Sequence, residues 1–362
     1  MKTNVRLSFG LIMRTSSFVI VALCVSGTFQ SCQKEDVELN PATLKSAVAK
    51  DYSIDGILDV VFDSQVVRRE GKPTIEKLSI GDFNIADYDN CFELHVASES
   101  VSAAIITFND QVLLNTADFS GGEVDYSLQL CDLTAESVLE VEMRGEPGSL
   151  LNIWLEGKMT SFVDARDGKR YKVVQIGDQI WMEENLGWLP TVNLRTEGSG
   201  VVPLYYVYGY EGTDVAAAKA TENYAKFGAL YNWPAVANAA PAGWHVASDE
   251  EWKQMEIFLG MPPQEAEGIA SRDTLGGIYL KGTSTWFDNG NGTNSSGFNG
   301  LSCGYRSSAG NFFGQGEYNN WWTSTEFTPA LAYTRRLVNN ADWCGRAPVP
   351  KEFGFNVRCI RN

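Results

Sequence analysis

The chain has 362 residues with 29 basic and 45 acidic side chains, a formal net charge of −16, and 44% of it is apolar. It therefore has the material for a packed core and is not a disordered polymer, while its acidic balance opposes the counterion release that drives nucleic-acid binding. Only two histidines are present, His95 and His245, too few for a multi-His zinc site and offering little scope for a Ser-His or Cys-His pair. The length predicts two domains.

Lys2, Arg6 and Arg14 precede an apolar run from Phe18 to Phe29. The run is too short to cross a bilayer, which takes about 20 residues, and it suits a signal-peptide core. It ends in Thr28-Phe29-Gln30-Ser31-Cys32. A small residue directly before a cysteine resembles the lipobox of bacterial lipoproteins, and the tract Gln33-Lys34-Glu35-Asp36 resembles the surface-export tag of the Bacteroidetes. The resemblance implies a signal peptide over 1–31, cleavage before Cys32 and acylation of that cysteine. The membrane is then a partner through the lipid, and the location is the bacterial outer membrane with the body facing outward. Each buried methylene of the lipid contributes about 0.8 kcal/mol, so several chains hold a soluble body without a spanning helix. The polar stretch that completes 32–50, with Pro41, reads as a flexible tether.

From 51 to 158 the chain runs in short alternating segments rich in branched and aromatic residues, such as Phe92 to Val96, Ala103 to Phe108, Val138 to Met143 and Leu151 to Leu155. These predict an all-β sandwich, with Glu146-Pro147-Gly148 as a tight turn. The segment holds 21 acidic and 6 basic side chains, which suits a soluble spacer. It has no D-x-D-x-D loop, although a calcium role for some of its carboxylates stays open. His95 lies in an alternating strand and is expected to be structural.

After about Ser161 the texture changes to Trp, Tyr, Asn and Gly. The segments Asp164 to Tyr171, Val174 to Leu186, Gly228 to Trp233, Pro241 to Val246, Ser296 to Phe298, Gly304 to Arg306, Trp322 to Glu326 and Gly354 to Ile360 follow in order. Together they resemble the Fibrobacter succinogenes major paralogous domain, FISUMP, over 159–362. The resemblance implies an α+β, C-type-lectin-like or formylglycine-generating-enzyme-like domain, and supplies no activity. Within it, Asp167-Gly168 is a turn signal, and Ser248 with Glu251 predicts a capped packing helix whose Trp252, Met255 and Leu259 share one face before Gly260 ends it.

Of the seven cysteines, Cys24 leaves with the signal and Cys32 carries the lipid. In an exported protein Cys91, Cys131, Cys303, Cys344 and Cys359 read as disulfide candidates. A Cys91–Cys131 pair is one option in the first domain and a bridge involving Cys359 is favoured in the second. The competing reading makes all five small buried apolar residues.

Nine of the ten tryptophans lie after residue 158, beside the tyrosine-rich run Leu204 to Tyr210. Aromatic faces offer flat apolar area at little entropic cost, as stacking on sugars requires. Tyr206, Tyr208, Tyr210 and Trp321 are the expected surface candidates. Asp288, Asn289, Asn291 and Asn294 supply oxygen donors beside glycines, a composition that fits calcium without the ordered spacing of an EF-hand. His245 is expected to order a turn. The expected function is a non-catalytic surface lipoprotein for adhesion or extracellular polysaccharide capture, with polysaccharide or a cell-surface protein as partner, no nucleic acid, and no cofactor apart from possible calcium. The alternatives are an extracellular hydrolase or modifying enzyme, and a structural envelope component.

Overall fold

Alternation of period two builds the first part of the structure, because successive side chains of a strand point to opposite faces. A computed structural model describes residues 58–121, 123–272 and 276–362, so the signal peptide, Cys32 and the tether lie outside the described residues. Eight strands come first: β1 Leu58–Val67, β2 Thr74–Ser79, β3 Tyr88–Ser98, β4 Ala104–Phe108, β5 Gln111–Leu114, β6 Val124–Cys131, β7 Val138–Met143 and β8 Leu150–Met159. They pair antiparallel into two four-stranded sheets, ordered β1-β8-β3-β6 and β2-β7-β4-β5. Phe92, Leu94 and Val96 of β3, with Leu151, Ile153 and Leu155 of β8, meet Ile106, Leu139 and Val141 of the other sheet in one apolar core. The alternate positions Glu93, His95 and Glu156 face away from it. At the turn between β7 and β8, Gly148 takes a φ of 86°, in the left-handed region that favours glycine.

Beyond Met159 the strands shorten and loops dominate. The opening strands β9 Ser161–Val163, β10 Arg170–Ile176 and β11 Gln179–Met182 share a five-stranded sheet with β14 Trp244–Val246 and the terminal β21 Cys359–Arg361, in the order β14-β21-β11-β10-β9. The chain end thus returns to the start of this region, with Ile360 opposite Trp181. Two short ribbons pair β12 Tyr205–Tyr206 with β13 Leu230–Tyr231 and β16 Tyr305–Arg306 with β17 Phe312–Phe313, and a second sheet pairs β15 Ala270–Arg272, β20 Cys344–Pro350, β19 Leu331–Val338 and β18 Tyr318–Thr328 in that order. Several sheets and few helices make the described chain β-rich throughout, more so than the α+β expectation implies.

The main helix, Asp249–Phe258, forms as its sequence signals direct. The Ser248 hydroxyl accepts from the Glu251 N–H at 3.2 Å and the Glu251 carboxylate accepts from the Ser248 N–H at 2.7 Å, a complete capping box. Trp252 and Met255 are buried, and Gly260 follows at φ 105°. Trp252 packs on Trp181 at 5.1 Å and on Phe298 at 5.3 Å between ring centroids, and Phe298 meets Trp321 at 5.6 Å. Such pairs are each worth about 0.5–1.5 kcal/mol beyond area burial.

Cys91 and Cys131 stand opposite each other on β3 and β6 and form a disulfide. Cys303, Cys344 and Cys359 are free and buried, which corrects the bridge expected at Cys359. The physical reason is that the three thiols sit in three different apolar clusters. Among the described residues no helix is long and apolar enough to cross a membrane.

The disulfide links residues 40 apart, so its loss releases denatured-state entropy. Replacing both Cys91 and Cys131 by Ser is expected to cost about 2–4 kcal/mol in urea unfolding. A reductant should reproduce that loss in the wild type and leave the double variant unchanged.

Candidate functional site

The four aromatic residues singled out from sequence do not form a common platform. Tyr206 and Trp321, expected at the surface, are buried at 1% and 0% exposure. Tyr206 donates its hydroxyl to the Glu197 carbonyl at 2.7 Å and lies under the Arg306 guanidinium at 4.6 Å. Trp321 donates its indole N–H to Asn185 Oδ1 at 2.8 Å. Both rings have a polar handle with a partner inside, so burial costs them nothing unsatisfied. Tyr208 and Tyr210 are half-buried, the first packed on Phe312 at 5.0 Å and the second donating to the Asp214 carbonyl at 3.1 Å.

Three of the four calcium candidates already accept hydrogen bonds from the protein. Asn291 Oδ1 accepts from the Trp286 N–H at 3.1 Å, Asn294 Oδ1 accepts from the Asn299 N–H at 2.7 Å, and Asp288 Oδ2 accepts from Asn339 at 3.3 Å. Asp288, Asn289 and Asn294 all take positive φ, so the Asn-Gly composition serves the turn. His245 holds Glu251 Oε1 at 2.6 Å through Nε2 and Asn362 Oδ1 at 2.7 Å through Nδ1. Both ring nitrogens are occupied, which leaves neither for a substrate proton. Burial alone would raise the Glu251 carboxyl, but the Ser248 N–H and hydroxyl, with His245, hold it below its ordinary value.

A different constellation stands at the concave surface. A cleft of about 310 Å³ is lined by Lys169 just before β10, by Lys172 of β10, by Glu183, Glu184 and Asn185 just after β11, by the end of the Glu222–Phe227 helix, and by Arg358. Lys226 of that helix also lines it. Four cations and two carboxylates meet there, in a chain whose overall charge is negative.

Arg358 is the unusual member. It is 1% exposed, and its guanidinium donates to Asn185 Oδ1 at 2.8 Å and to the carbonyls of Met182, Phe298 and Asn299 at 2.9, 2.6 and 3.2 Å. Every one of these acceptors is neutral. Burial pulls its pKa down to about 9, against a weaker lift from Glu184 and Glu183 through space. At neutral pH it still carries its charge. Lys169 is also pushed below its ordinary value by burial, which Glu184 Oε2 at 3.6 Å only partly offsets.

Local geometry sets this floor. Gly228 takes φ 72°, and a side chain there would meet the Leu186 carbonyl oxygen at 2.7 Å, so only glycine lets the helix end approach the segment that follows β11. Asn185 then donates to the Phe227 carbonyl at 3.0 Å while its Oδ1 accepts from Arg358 and Trp321. Sequence reasoning placed Arg358 in a family segment without assigning it to a site, and missed Lys169, Lys172 and Lys226. The close run Lys169, Arg170, Lys172 in an acidic chain was the available signal.

A second polar cluster is wholly internal. Arg272 grips Glu256 with two bonds of 2.6 Å, Arg335 reaches Glu256 at 2.8 Å and Asp249 at 2.6 Å, and Arg346 holds Asp249 at 2.7 and 2.9 Å. Burial would raise the Asp249 carboxyl, but Arg346 and Arg335 outweigh it and hold it below its ordinary 3.8. Cys344 Sγ lies 3.3 Å from Glu256 Oε1, and burial pushes its thiol up to about 12, away from a reactive thiolate. Each carboxylate faces arginines and none faces solvent, so this cluster holds the fold together and offers no chemistry.

A family model described as the Fibrobacter succinogenes major domain matches residues 174–361. No curated protein and no solved structure matches the chain. The match includes Asn185, Lys226 and Arg358, and begins just after Lys172.

Asp249→Asn leaves Arg335 and Arg346 short of a buried counter-charge and is expected to cost about 3–5 kcal/mol at pH 7. Because the folded Asp249 titrates below 3.8, its contribution is complete above about pH 4 and is lost as pH falls through the folded value. Urea unfolding of both forms at pH 7 and pH 3 should show the gap between them narrowing in acid.

Proposed function

We propose, for a chain that belongs to the Fibrobacter succinogenes major domain family, a non-catalytic binding role in which the cleft captures acidic groups of an extracellular polysaccharide. The observation that carries this reading is Arg358, a buried guanidinium whose partners are all neutral, at a cleft that also gathers Lys169, Lys172 and Lys226. A carboxylate or sulfate entering there would add a counter-charge that none of Arg358's direct hydrogen-bond partners carries. Glu183 and Glu184 offset part of the four cations, so charge alone attracts an anion only modestly, and the hydroxyls of a sugar acid would add the hydrogen bonds that a bare ion lacks. Lys172 and Lys226 are exposed and provide the approach.

The proposal places this domain outside the cell, tethered by lipid on Cys32, with the acidic sandwich as spacer. Support comes from the signal-like run, the small residue before Cys32, and a disulfide between Cys91 and Cys131 of the kind that persists in oxidising compartments. We also propose kinship with the C-type-lectin and formylglycine-generating-enzyme folds. Its support is the return of β21 beside β11 and the long loops between short strands.

The test is retention on immobilised polyuronate or sulfated polysaccharide beside a neutral one of the same backbone. Lys172→Ala and Lys226→Ala should each weaken acidic retention about two- to five-fold, the size of a single exposed charge contact. Retention should also fall between about 0.1 and 1 M salt as the Debye length shrinks from about 10 to 3 Å. Equal retention of neutral and acidic chains, unmoved when Lys172→Ala and Lys226→Ala are combined, would sink the reading.

A further inference from the structure

On the outer face of the sandwich, Glu93 and His95 lie two residues apart on β3, and Glu156 of β8 stands directly opposite Glu93. Like charges in facing positions of a sheet destabilise it unless a cation lies between them. The three ligand atoms, one from each side chain, lie within 4.8 Å of one another. His95 Nε2 is 3.2 Å from Glu156 Oε2 and 4.0 Å from Glu93 Oε1. It is nevertheless sealed from solvent and has no hydrogen-bond partner. Glu156 Oε2 stands within reach of the nitrogen but off its donor line, and Glu93 Oε1 stands beyond hydrogen-bond distance, so a protonated imidazole bridging the pair does not account for the arrangement.

A metal does account for it. Nitrogen and oxygen ligands about 2.1 Å from a tetrahedral ion stand about 3.4 Å apart, with each oxygen well off the ring's lone-pair axis. The surroundings already orient the ligands. Trp154 stacks on the imidazole at 4.7 Å with planes 5° apart, and its indole N–H donates to Glu156 Oε1 at 3.2 Å. The Ser127 hydroxyl donates to Glu93 Oε1. Hydrogen bonds of this kind fix metal-binding side chains in place.

We propose that Glu93, His95 and Glu156 bind one zinc-class divalent ion, with water at the open fourth position. The imidazole ligand selects zinc over calcium and magnesium, which prefer oxygen donors. The acidic field of residues 51–158 concentrates cations near the site. The ion would clamp β3 to β8 on the face opposite the core, and the site owes nothing to the cleft.

The experiment is equilibrium dialysis of the purified, chelator-stripped chain against zinc, with cobalt as a spectroscopic substitute. One zinc per chain is expected, insensitive to excess calcium, with cobalt bands of a four-coordinate site. His95→Gln and Glu156→Gln should each weaken zinc at least about tenfold, with circular dichroism unchanged, while Asp288→Asn should bind as the wild type does. If one of the two variants fails to fold, the other decides. Absence of stoichiometric zinc, or equal affinity in wild type and a folded variant, would overturn the proposal.

Discussion

Five buried charges in a row, Arg272, Glu256, Arg335, Asp249 and Arg346, dock the Asp249–Phe258 helix onto β15, β19 and β20. Taking such groups out of water is costly, and the cost is offset only when every charge meets an opposite one in good geometry. The alternation of sign along the row achieves this, and the guanidinium forks reach carboxylate oxygens in pairs. Everything else in this region is arranged around the helix so placed. It brings Trp252 against Trp181 and Phe298, Phe298 reaches Trp321, and the Trp321 indole fixes Asn185. Asn185 in turn holds Arg358. The cleft therefore rests, through an aromatic cluster, on an ionic row well inside the protein.

The two halves of the chain divide the charge unequally. The sandwich carries acid on its outer faces, where it is hydrated and cheap, and its core is wholly apolar. The cleft collects cations in a concave setting that focuses field lines. For the anionic ligand proposed above, most of the surface would repel and this one place attract, and long-range repulsion is itself a form of selectivity.

Features set by neighbouring residues were legible in the sequence. The Ser248–Glu251 capping box, the turns at Gly148 and Gly168, and the alternation of β3, β4, β7 and β8 each follow from a few adjacent side chains. The family resemblance was legible too, since its segments keep their order. Apart from the Cys91–Cys131 pair, pairings over distance were not. Asp249 stands in the first turn of its helix, where any negative charge suits the dipole, yet its partner Arg335 lies 86 residues away, and no local pattern announces it. The run from Leu204 to Tyr210 reads as a surface stripe, but in a domain of short strands large rings fill the space that longer elements would occupy. Tyr205 and Tyr206 accordingly pair with Leu230 and Tyr231 as a buried two-residue ribbon. Arg358 gave no warning because its burial is decided by three carbonyls from other segments.

The separation of Cys303, Cys344 and Cys359 into three apolar clusters gives the molecule internal reporters. A thiol reagent added to the folded chain meets no accessible sulfur among these three, and each becomes modifiable only when its own cluster opens. Labelling followed by mass spectrometry would read out, from one unmodified polypeptide, the order in which those clusters come apart, with no engineered probe.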